Sequence, residues 1–545
     1  MPVVSPLPAT AFTAPPAVRA FWAVRGFFIG LLLLGAVLLR HYGVSWDEPT
    51  DRQTGMISAR YVAELVAPDW AARQSAFAGL PDFATYADND HGVLFETPLC
   101  LLEVGLGITD SRTTYLLRHA AIFLTFVGGV WALYRLARLR FGSWQLGLAA
   151  STLLLLSPRF FAESFYNNKD LVFLAVFTLG VYTLARLLQH PSLGRAALHG
   201  LVTAAATDVR LLGCLLLPMT LGMVTLELLY GPAELRRRWL PAVPLYLLTA
   251  VAATVAGWPY LWAAPLTNFQ HAFSSLSNFA FDADLLYFGE RVSINALPWH
   301  YIPVWVLITT PVAYSAAALL GALALGADLV RSRLALLRRP EYRLDVLFLG
   351  WLLTPVLMVI VLHSVVYDGW RHLYFIYPAL LLLALRGALL LWRARQESAR
   401  LHRLAVGLAA LAALEAVGTL GRMVLMHPFE QTFFAFLPAR VVEQQFERDY
   451  WGLSYRAGLQ WILAHDAAPR IDIRGAQHQP LMNNVAVLPA AQRQRLQLNP
   501  AAPRAYYLTT YRTHPEPYPD SLGAEVYQLR ANGVKILSVF QRQAW

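Results

Sequence analysis

The sequence predicts an all-α polytopic membrane protein that carries a small C-terminal α/β domain. Of its 545 residues, 57% are hydrophobic and only 14% are charged, and the mean hydropathy is +0.44. Apolar runs of roughly 20 residues, bounded by arginines or by Pro and Gly, match the length that a helix needs to cross a bilayer. The formal charge of +10 is attributed to arginines that hold cytoplasmic loops against anionic lipid, and not to nucleic-acid binding.

The apolar runs predict about eleven transmembrane helices. Their ranges are 21–40, 114–134, 146–162, 169–189, 197–209, 211–230, 240–260, 301–325, 344–363, 372–392 and 404–425. Because short arginine-rich loops stay in the cytoplasm, we expect a cytoplasmic N-terminus and an outward C-terminus. Residues 197–230 leave an alternative open, since one kinked helix there would reverse every later segment.

The composition divides the chain into three parts. Residues 1–17 are rich in Pro and Ala and are predicted to be disordered, and residues 18–426 form the transmembrane domain with outer loops 41–113 and 258–300. Residues 427–545 are more polar and predict a periplasmic or extracellular α/β domain. That domain has a helical pattern through FERDYWGLSYRAGLQWI, then strand-like runs, the last two around an Asn-Gly turn.

Two adjacent carboxylates, Asp47 and Glu48, follow the first predicted span. Ionisable residues at the edge of a membrane are costly and indicate function. Adjacent carboxylates repel each other, so we expect one of the two pKa values to rise, as a general base near neutrality requires. The structural alternative is that both residues simply cap the start of a loop helix.

A second polar turn is SPRFFAESFYNNKDLVF, residues 157–173. Lys169 is the only lysine before Lys535, and Asp170 follows it at the start of a span. The alternatives are that Lys169 is a snorkelling anchor and that Asp170 is paired with Arg159.

A third outward turn, HSVVYDGWRHLYFIYP at residues 363–378, holds Asp368, Arg371 and His372. Cations at the membrane surface suit a phosphate, and the planar guanidinium of arginine matches its oxygens. Arg210, next to Asp208, is a further candidate of this kind. An interfacial belt of Tyr, Trp and Arg is the alternative.

The sequence does not support an ATP-driven transporter, a metalloprotease or a hydrolase with a nucleophile elbow. It contains no Walker motif, no HExxH or clustered Cys/His pattern and no GxSxG. Cys100 and Cys214 are far apart and imply neither a disulfide framework nor a metal site.

The order of these parts resembles the GT-C superfamily of membrane glycosyltransferases, and within it the branch of protein O-mannosyltransferases and aminoarabinose transferases. The segments SPRFFAESFYNNKDLVF, ALPWHYIPVWVLITTPVAY, YDGWRHLYFIYPAL and FERDYWGLSY are similar to those of bacterial phospholipid-carrier-dependent members. The C-terminal domain lacks the repeated β-trefoil signature of the eukaryotic mannosyltransferases.

The resemblance implies an enzyme of the bacterial cytoplasmic (inner) membrane that takes a monosaccharide from a polyprenyl-phosphate donor. It implies that Asp47 is the catalytic aspartate, that Glu48 is its partner and that Asp170 is a second acidic residue in the next outer loop. The hypothesis is an inverting transfer to a hydroxyl of an envelope glycan, lipid or protein, with Asp47 as general base. Arg371 would hold the leaving phosphate, assisted by Lys169 or Arg210 and by a hydrogen bond from His372, with Asp368 lining the site.

Other expectations concern cofactors and rival functions. No cofactor is certain, but some GT-C enzymes use a divalent metal, for which Asp47, Glu48 and Asp170 could supply oxygen ligands. The expected partners are the lipid-linked sugar, an acceptor and membrane lipids. The rival functions are a proton-coupled secondary transporter of an envelope precursor and a non-catalytic member of the same fold.

Overall fold

The fold is that of a helical membrane protein with a C-terminal sheet. The computed structural model describes residues 17–277, 283–499, 505–512 and 514–541. The segment predicted to be disordered, residues 1–17, lies outside the described residues except for its last residue.

The first half of the described chain consists of helices and loops. In chain order its α-helices are α1 (Ala17–Leu38), α2 (Glu48–Val66), α3 (Pro68–Ala71), α4 (Glu96–Gly105), α5 (Ser111–Phe141), α6 (Trp144–Leu155), α7 (Pro158–Glu163), α8 (Asp170–Gln189), α9 (Leu193–Val209), α10 (Leu216–Tyr230), α11 (Ala233–Gly257) and α12 (Pro265–Ser277). Short 3₁₀ helices cover Ser75–Phe77, Leu211–Leu215 and Pro259–Leu261.

The second half adds the strands. A hairpin of β1 (Asp284–Tyr287) and β2 (Glu290–Ser293) precedes α13 (Tyr301–Thr309), α14 (Val312–Arg331), α15 (Pro340–Leu362), α16 (Tyr377–Ala394), α17 (Ala399–Met426), α18 (Ala439–Gln445) and α19 (Tyr455–His465). Then follow β3 (Ile471–Gly475), α20 (His478–Ala486), α21 (Ala490–Arg493), β4 (Leu496–Leu498), β5 (Tyr506–Thr509), β6 (Ala524–Ala531) and β7 (Val534–Gln541). The 3₁₀ helices here are Ile294–Ala296, Ala335–Arg338, Arg371–Ile376, Glu430–Thr432 and Asp520–Leu522.

The predicted fold class is confirmed, but the predicted number of spans is not. Nine helices within the described residues are long and apolar enough to cross a membrane. Of the other predicted spans, 146–162 is the 12-residue α6 followed by α7, and 197–209 lies in the 17-residue α9. The predicted span 301–325 is interrupted before Pro311, which has no N–H for a continuous helix, and its second part lies in α14, one of the nine.

Residues 197–230 form two helices and not one kinked helix. α9 ends at Val209, and Gly213 packs against the backbone of Ala206 and Thr207, where a Cβ atom would lie about 2 Å from Ala206. The chain therefore folds back on α9 before α10 begins.

Small residues let the long helices approach closely. Gly129 of α5 faces Ala175 of α8, and Gly321 of α14 lies where a Cβ would meet the carbonyl oxygen of Leu383 on α16. Because lipid is as apolar as leucine, close packing of this kind is a main source of helix association in a bilayer. These contacts fix α8 and α16, which carry Asp170 at the start of α8 and Arg371 in the turn just before α16.

The C-terminal domain is built on a five-stranded mixed sheet in the order β4-β3-β5-β7-β6. β3 is parallel to β4 and β5, whereas β7 is antiparallel to β5 and β6. The Asn-Gly turn is present at Asn532 and Gly533, both with positive φ, as a two-residue hairpin requires. The predicted helix through FERDYWGLSYRAGLQWI begins only at Tyr455, because Asp449 accepts the backbone N–H groups of Leu453 and Ser454 and holds the preceding segment as a turn.

Candidate functional site

Asp47 lies at the start of α2 and faces a cation. α2 begins at Glu48 with Pro49 in its first turn, where the missing N–H of proline costs nothing. Asp47 occupies the N-cap position, but its side chain makes no cap hydrogen bond. Instead its Oδ2 accepts a hydrogen bond from Arg371 Nη1 at 2.8 Å, and 31% of the side chain is exposed.

Arg371 joins three carboxylates. Its Nη1 also lies 3.3 Å from Asp170 Oδ2, and its Nη2 lies 3.2 Å from Asp368 Oδ2. The side chain is only 2% exposed, and its guanidinium lies over the rings of Tyr367 and Trp451. A cation in this setting is held by charge and by aromatic faces at once.

Asp170 is shared between two arginines. Arg210 Nη1 donates to Asp170 Oδ1. The backbone N–H of Asp170 donates to Asn167 Oδ1 at 2.8 Å. Asn167 Nδ2 in turn bridges Asp170 and Glu163, at 3.1 and 2.7 Å. Asp170 is thus paired with Arg371 and Arg210. It is not paired with Arg159, the alternative partner in the sequence analysis.

The C-terminal domain completes the cluster. Arg512 Nη2 donates to Asp368 Oδ1 at 2.5 Å, and the Arg512 guanidinium lies over the ring of Trp46. Glu447 lies 4.0 Å from Arg512 Nε. Burial raises the pKa of Glu447 to about 8, and the negative charge of Asp368 acts in the same direction.

The pKa of Asp47 is lowered, so Asp47 is not the carboxylate of the adjacent pair whose pKa we expected to rise. Burial acts to raise it, but the positive charges of Arg371 and Lys169 and the hydrogen bond from Arg371 outweigh burial, so the pKa is lowered from its ordinary value. Repulsion by Glu48 does not dominate the pKa of Asp47, because the Glu48 side chain points away from Asp47.

Glu48 is turned away from Asp47 and is fully buried. Its Oε2 accepts the backbone N–H of Ser45 at 2.7 Å, and its Oε1 lies 3.1 Å from His119 Nε2. It thus ties the turn after α1 to α5. The capping alternative fits neither residue, because Asp47 makes no cap hydrogen bond and Glu48 binds Ser45, which lies outside α2.

Glu163 is a buried carboxylate that sequence reasoning did not select. It accepts hydrogen bonds from Tyr374 at 2.9 Å and Tyr450 at 3.2 Å, besides the one from Asn167. Burial raises the pKa of Glu163 to about 7, and the negative charge of Asp170 adds to the rise.

Lys169 and His372 lie beside the cluster. Lys169 Nζ lies 3.4 Å from Asp51 Oδ1, and both residues line a small cavity with Gly92, Phe95, Glu96, Asn168 and Val209. His372 contacts the ring of Tyr367 edge-on and, in the part of the chain that the structure describes, makes no hydrogen bond to the clustered carboxylates.

The ligand set considered for a metal does not come together. Glu48 is bound to Ser45 and His119, and the Arg371 guanidinium occupies the space between Asp47 and Asp170. Across residues 17–541, apart from the undescribed gaps, no group of three or more His, Cys, Asp or Glu side chains has the geometry to hold a metal ion. These residues therefore do not fit a divalent cation.

Five of the eight predicted site residues contact one another directly: Asp47, Asp170, Arg210, Asp368 and Arg371. Sequence reasoning missed Glu163, Glu447 and Arg512. The first two lie in segments already singled out by the resemblance. Arg512 gave no signal, because nothing local distinguishes it from other arginines of the C-terminal domain.

The comparison with known proteins gives one family match. Residues 101–262 match the family model described as dolichyl-phosphate-mannose-protein mannosyltransferase. This match confirms the resemblance inferred from the sequence. It spans Asp170 and Arg210 but ends before Asp368 and Arg371 and begins after Asp47.

Two solved structures are similar over almost the whole chain. They are crystal structures of ArnT from Cupriavidus metallidurans, one in the apo state and one bound to undecaprenyl phosphate. The first has a TM-score of 0.49 at 14% identity, with coverage of 96% of this chain and 98% of ArnT. The second has a TM-score of 0.48 at 14% identity, with coverage of 95% and 98%. No curated protein sequence matches the chain.

Proposed function

We propose that this protein is a membrane glycosyltransferase that moves a monosaccharide from a polyprenyl-phosphate donor to a hydroxyl acceptor, with inversion at the anomeric carbon. The observation that carries the proposal is that Arg371 touches both Asp47 and Asp170 at one end of the helix bundle. The family match over residues 101–262 supports a glycosyltransferase.

The cations of the site suit the phosphate of the donor. Arg371 Nε is buried and has no hydrogen-bond partner among the described residues, and Arg210 and Lys169 lie close by. A phosphate oxygen near Arg371 would accept a hydrogen bond from the free Nε–H and would compete with Asp47 for the hydrogen bond from Nη1. The growing negative charge on the leaving phosphate would then be stabilised by these fixed positive charges.

Asp47 suits the general base because it is the accessible carboxylate of the cluster. Asp170 and Asp368 are buried, whereas the Asp47 side chain is 31% exposed. Its pKa is lowered by Arg371, so it is ionised at neutral pH but weakly basic while that pair is intact. When the donor phosphate draws Arg371 away, the basicity of Asp47 rises at the moment when a proton has to be accepted.

The balance of the reaction is simple. The acceptor oxygen forms a bond to the anomeric carbon and gives its proton to Asp47, while the bond from that carbon to the phosphate oxygen breaks. The products are the glycosylated acceptor and the polyprenyl phosphate, whose extra negative charge faces Arg371. No metal and no redox partner enters these steps.

The test is transfer from a labelled polyprenyl-phosphate sugar by the purified full chain. We expect Asp47→Asn to reduce transfer at least about 1000-fold, because a general base and the Arg371 pair are both lost. Asp69→Asn is the matched control, since Asp69 is an exposed aspartate in the same outer segment. Transfer by Asp47→Asn at the wild-type rate would refute the assignment, and absence of transfer by the wild type with every donor sugar would favour a non-catalytic protein.

A further inference from the structure

A second cavity lies at the opposite end of the helix bundle. It has a volume of about 200 Å³, several times the ~30 Å³ that one water molecule occupies in the liquid. Its lining comes from α5, α8 and α9 and consists of Arg135, Tyr182, Thr183, Arg186, Arg195 and Leu198. Three arginines from three helices therefore face one space.

This cavity is remote from the candidate active site. Asp170 and Arg186 lie on the same helix, α8, at its two ends. Their sixteen-residue separation corresponds to about 24 Å at the rise of an α-helix. The cavity is thus no part of the cluster around Arg371.

The arginines of the cavity lack the carboxylate partners that neighbouring arginines have. At the same end of the bundle, Arg140 and Arg386 are both paired with Asp345. By contrast, no ion pair of the three cavity arginines is present within the described residues. Three uncompensated guanidinium groups attract an anion strongly, and phosphate oxygens match their planar donors.

The geometry around these arginines orients two of them. Arg195 Nη1 donates to the carbonyl oxygen of His190 at 2.7 Å. The Arg135 guanidinium lies over the rings of Trp131 and Tyr182, at 5.1 and 5.5 Å from their centres. These contacts leave the remaining N–H groups free for a ligand.

The rim of the cavity is apolar and exposed. Leu198, which lines the cavity, and Leu201, three residues further along α9, are each 52% exposed, and Trp131, whose ring lies against the Arg135 guanidinium, is 38% exposed. On helices of a membrane protein such side chains face lipid, and an aromatic ring beside a cation is typical of the headgroup region. A free inorganic anion would gain nothing from this apolar rim, whereas a phospholipid would place its acyl chains along it.

We propose that Arg135, Arg186 and Arg195 bind the phosphate of an anionic phospholipid whose acyl chains lie along Leu198 and Leu201. The site holds a structural lipid between α5, α8 and α9, and it is independent of the glycosyl-transfer function proposed above. An arginine near a membrane surface contributes about a fivefold gain in affinity for anionic lipid.

The test is native mass spectrometry of the full chain in a non-ionic detergent, with phosphatidylglycerol and phosphatidylcholine of matched acyl chains. We expect retention of phosphatidylglycerol in preference to phosphatidylcholine. Arg135→Gln, Arg186→Gln and Arg195→Gln should each weaken that binding about fivefold, and the triple variant about a hundredfold. Arg138→Gln is the matched control, because Arg138 is exposed on the same end of α5 and does not line the cavity.

A second kind of variant keeps the proposal testable if the arginine variants do not fold. Leu198→Glu changes an exposed rim residue and should weaken phosphatidylglycerol binding by charge repulsion, with an unchanged elution volume in size-exclusion chromatography. Equal binding of phosphatidylglycerol by the wild type, Leu198→Glu and the arginine variants would overturn the proposal. Equal retention of both lipids, or complete displacement of phosphatidylglycerol by inorganic phosphate, would overturn it as well.

Discussion

At the scale of single residues, Arg371 is the side chain on which the candidate site depends. It is nearly fully buried and its positive charge is balanced by Asp47, Asp170 and Asp368. Removal of Arg371 would leave the buried carboxylates Asp170 and Asp368 with less positive charge to offset them, whereas removal of one carboxylate still leaves Arg371 two others. The accessible partner is Asp47.

Glu163 gives a prediction about pH. Its pKa of about 7 in the folded protein is above its ordinary value of 4.5. As the pH rises from about 4.5 to about 7, the unfolded chain therefore loses this proton before the folded chain does, and the folded state loses stability, by an amount on the order of 3 kcal/mol at most. Glu163→Gln should lack this loss, so its thermal midpoint in detergent should change less across that pH window than the midpoint of the wild type.

The control for this prediction is Glu64→Gln, since Glu64 is an exposed carboxylate and should keep the wild-type profile. Identical profiles of the wild type and Glu163→Gln would mean that Glu163 does not titrate as its surroundings imply.

At the scale of elements, polar contacts between helices and close glycine contacts fix the helices. Glu415, in the middle of α17, accepts the backbone N–H groups of Val312 and Ala313 at 2.6 and 2.8 Å. It thereby satisfies the start of α14, where Pro311 interrupts the predicted span 301–325. The carboxylate of Glu415 thus accepts hydrogen bonds from the first N–H groups of α14. These groups have no partner within the helix, and the helix dipole favours an anion there.

The crossing of α14 and α16 gives a prediction about packing. A Cβ at Gly321 would lie 2.1 Å from the carbonyl oxygen of Leu383, whereas a Cβ at Gly326 of the same helix meets nothing within 4 Å. Gly321→Ala should therefore destabilise the protein by about 1–3 kcal/mol, because the helices have to separate. Gly326→Ala should be neutral or stabilising by up to about 1 kcal/mol. Thermal unfolding in detergent measures both, and equal midpoints would contradict the close crossing.

At the scale of the whole molecule, the C-terminal domain is coupled to the membrane helices. Asn484 accepts a hydrogen bond from the backbone N–H of Val44, and Asn483 donates to the carbonyl oxygen of Ser45. Helix α20 therefore binds the turn that carries Asp47. Arg512 reaches Asp368 from the same domain. The C-terminal domain thus contacts both the turn that carries Asp47 and the carboxylate of Asp368.

Arg512 gives the prediction at this scale. Arg512→Gln leaves Asp368 with Arg371 as its remaining cationic partner, so Asp368 should compete with Asp47 and the donor phosphate for that guanidinium. We expect glycosyl transfer to fall at least about tenfold, with partial rescue in Arg512→Lys. Arg530→Gln is the control, since Arg530 is a half-exposed arginine of the same sheet that pairs with Glu443. Wild-type transfer rates in Arg512→Gln would remove Arg512 from the site.

The helical membrane class could be predicted from the residues alone, because hydrophobicity over 20 residues is a local property. The position of acids and arginines in the turns between apolar runs could be predicted for the same reason. Which of these side chains meet depends on how the distant segments pack. Arg371 reaches Asp47 across 324 residues of sequence, Glu48 turns to His119, and Arg512 enters from a separate domain. These partners are set by packing between distant segments, and the distances of ion pairs and the direction of a side chain leave no periodic trace in the sequence.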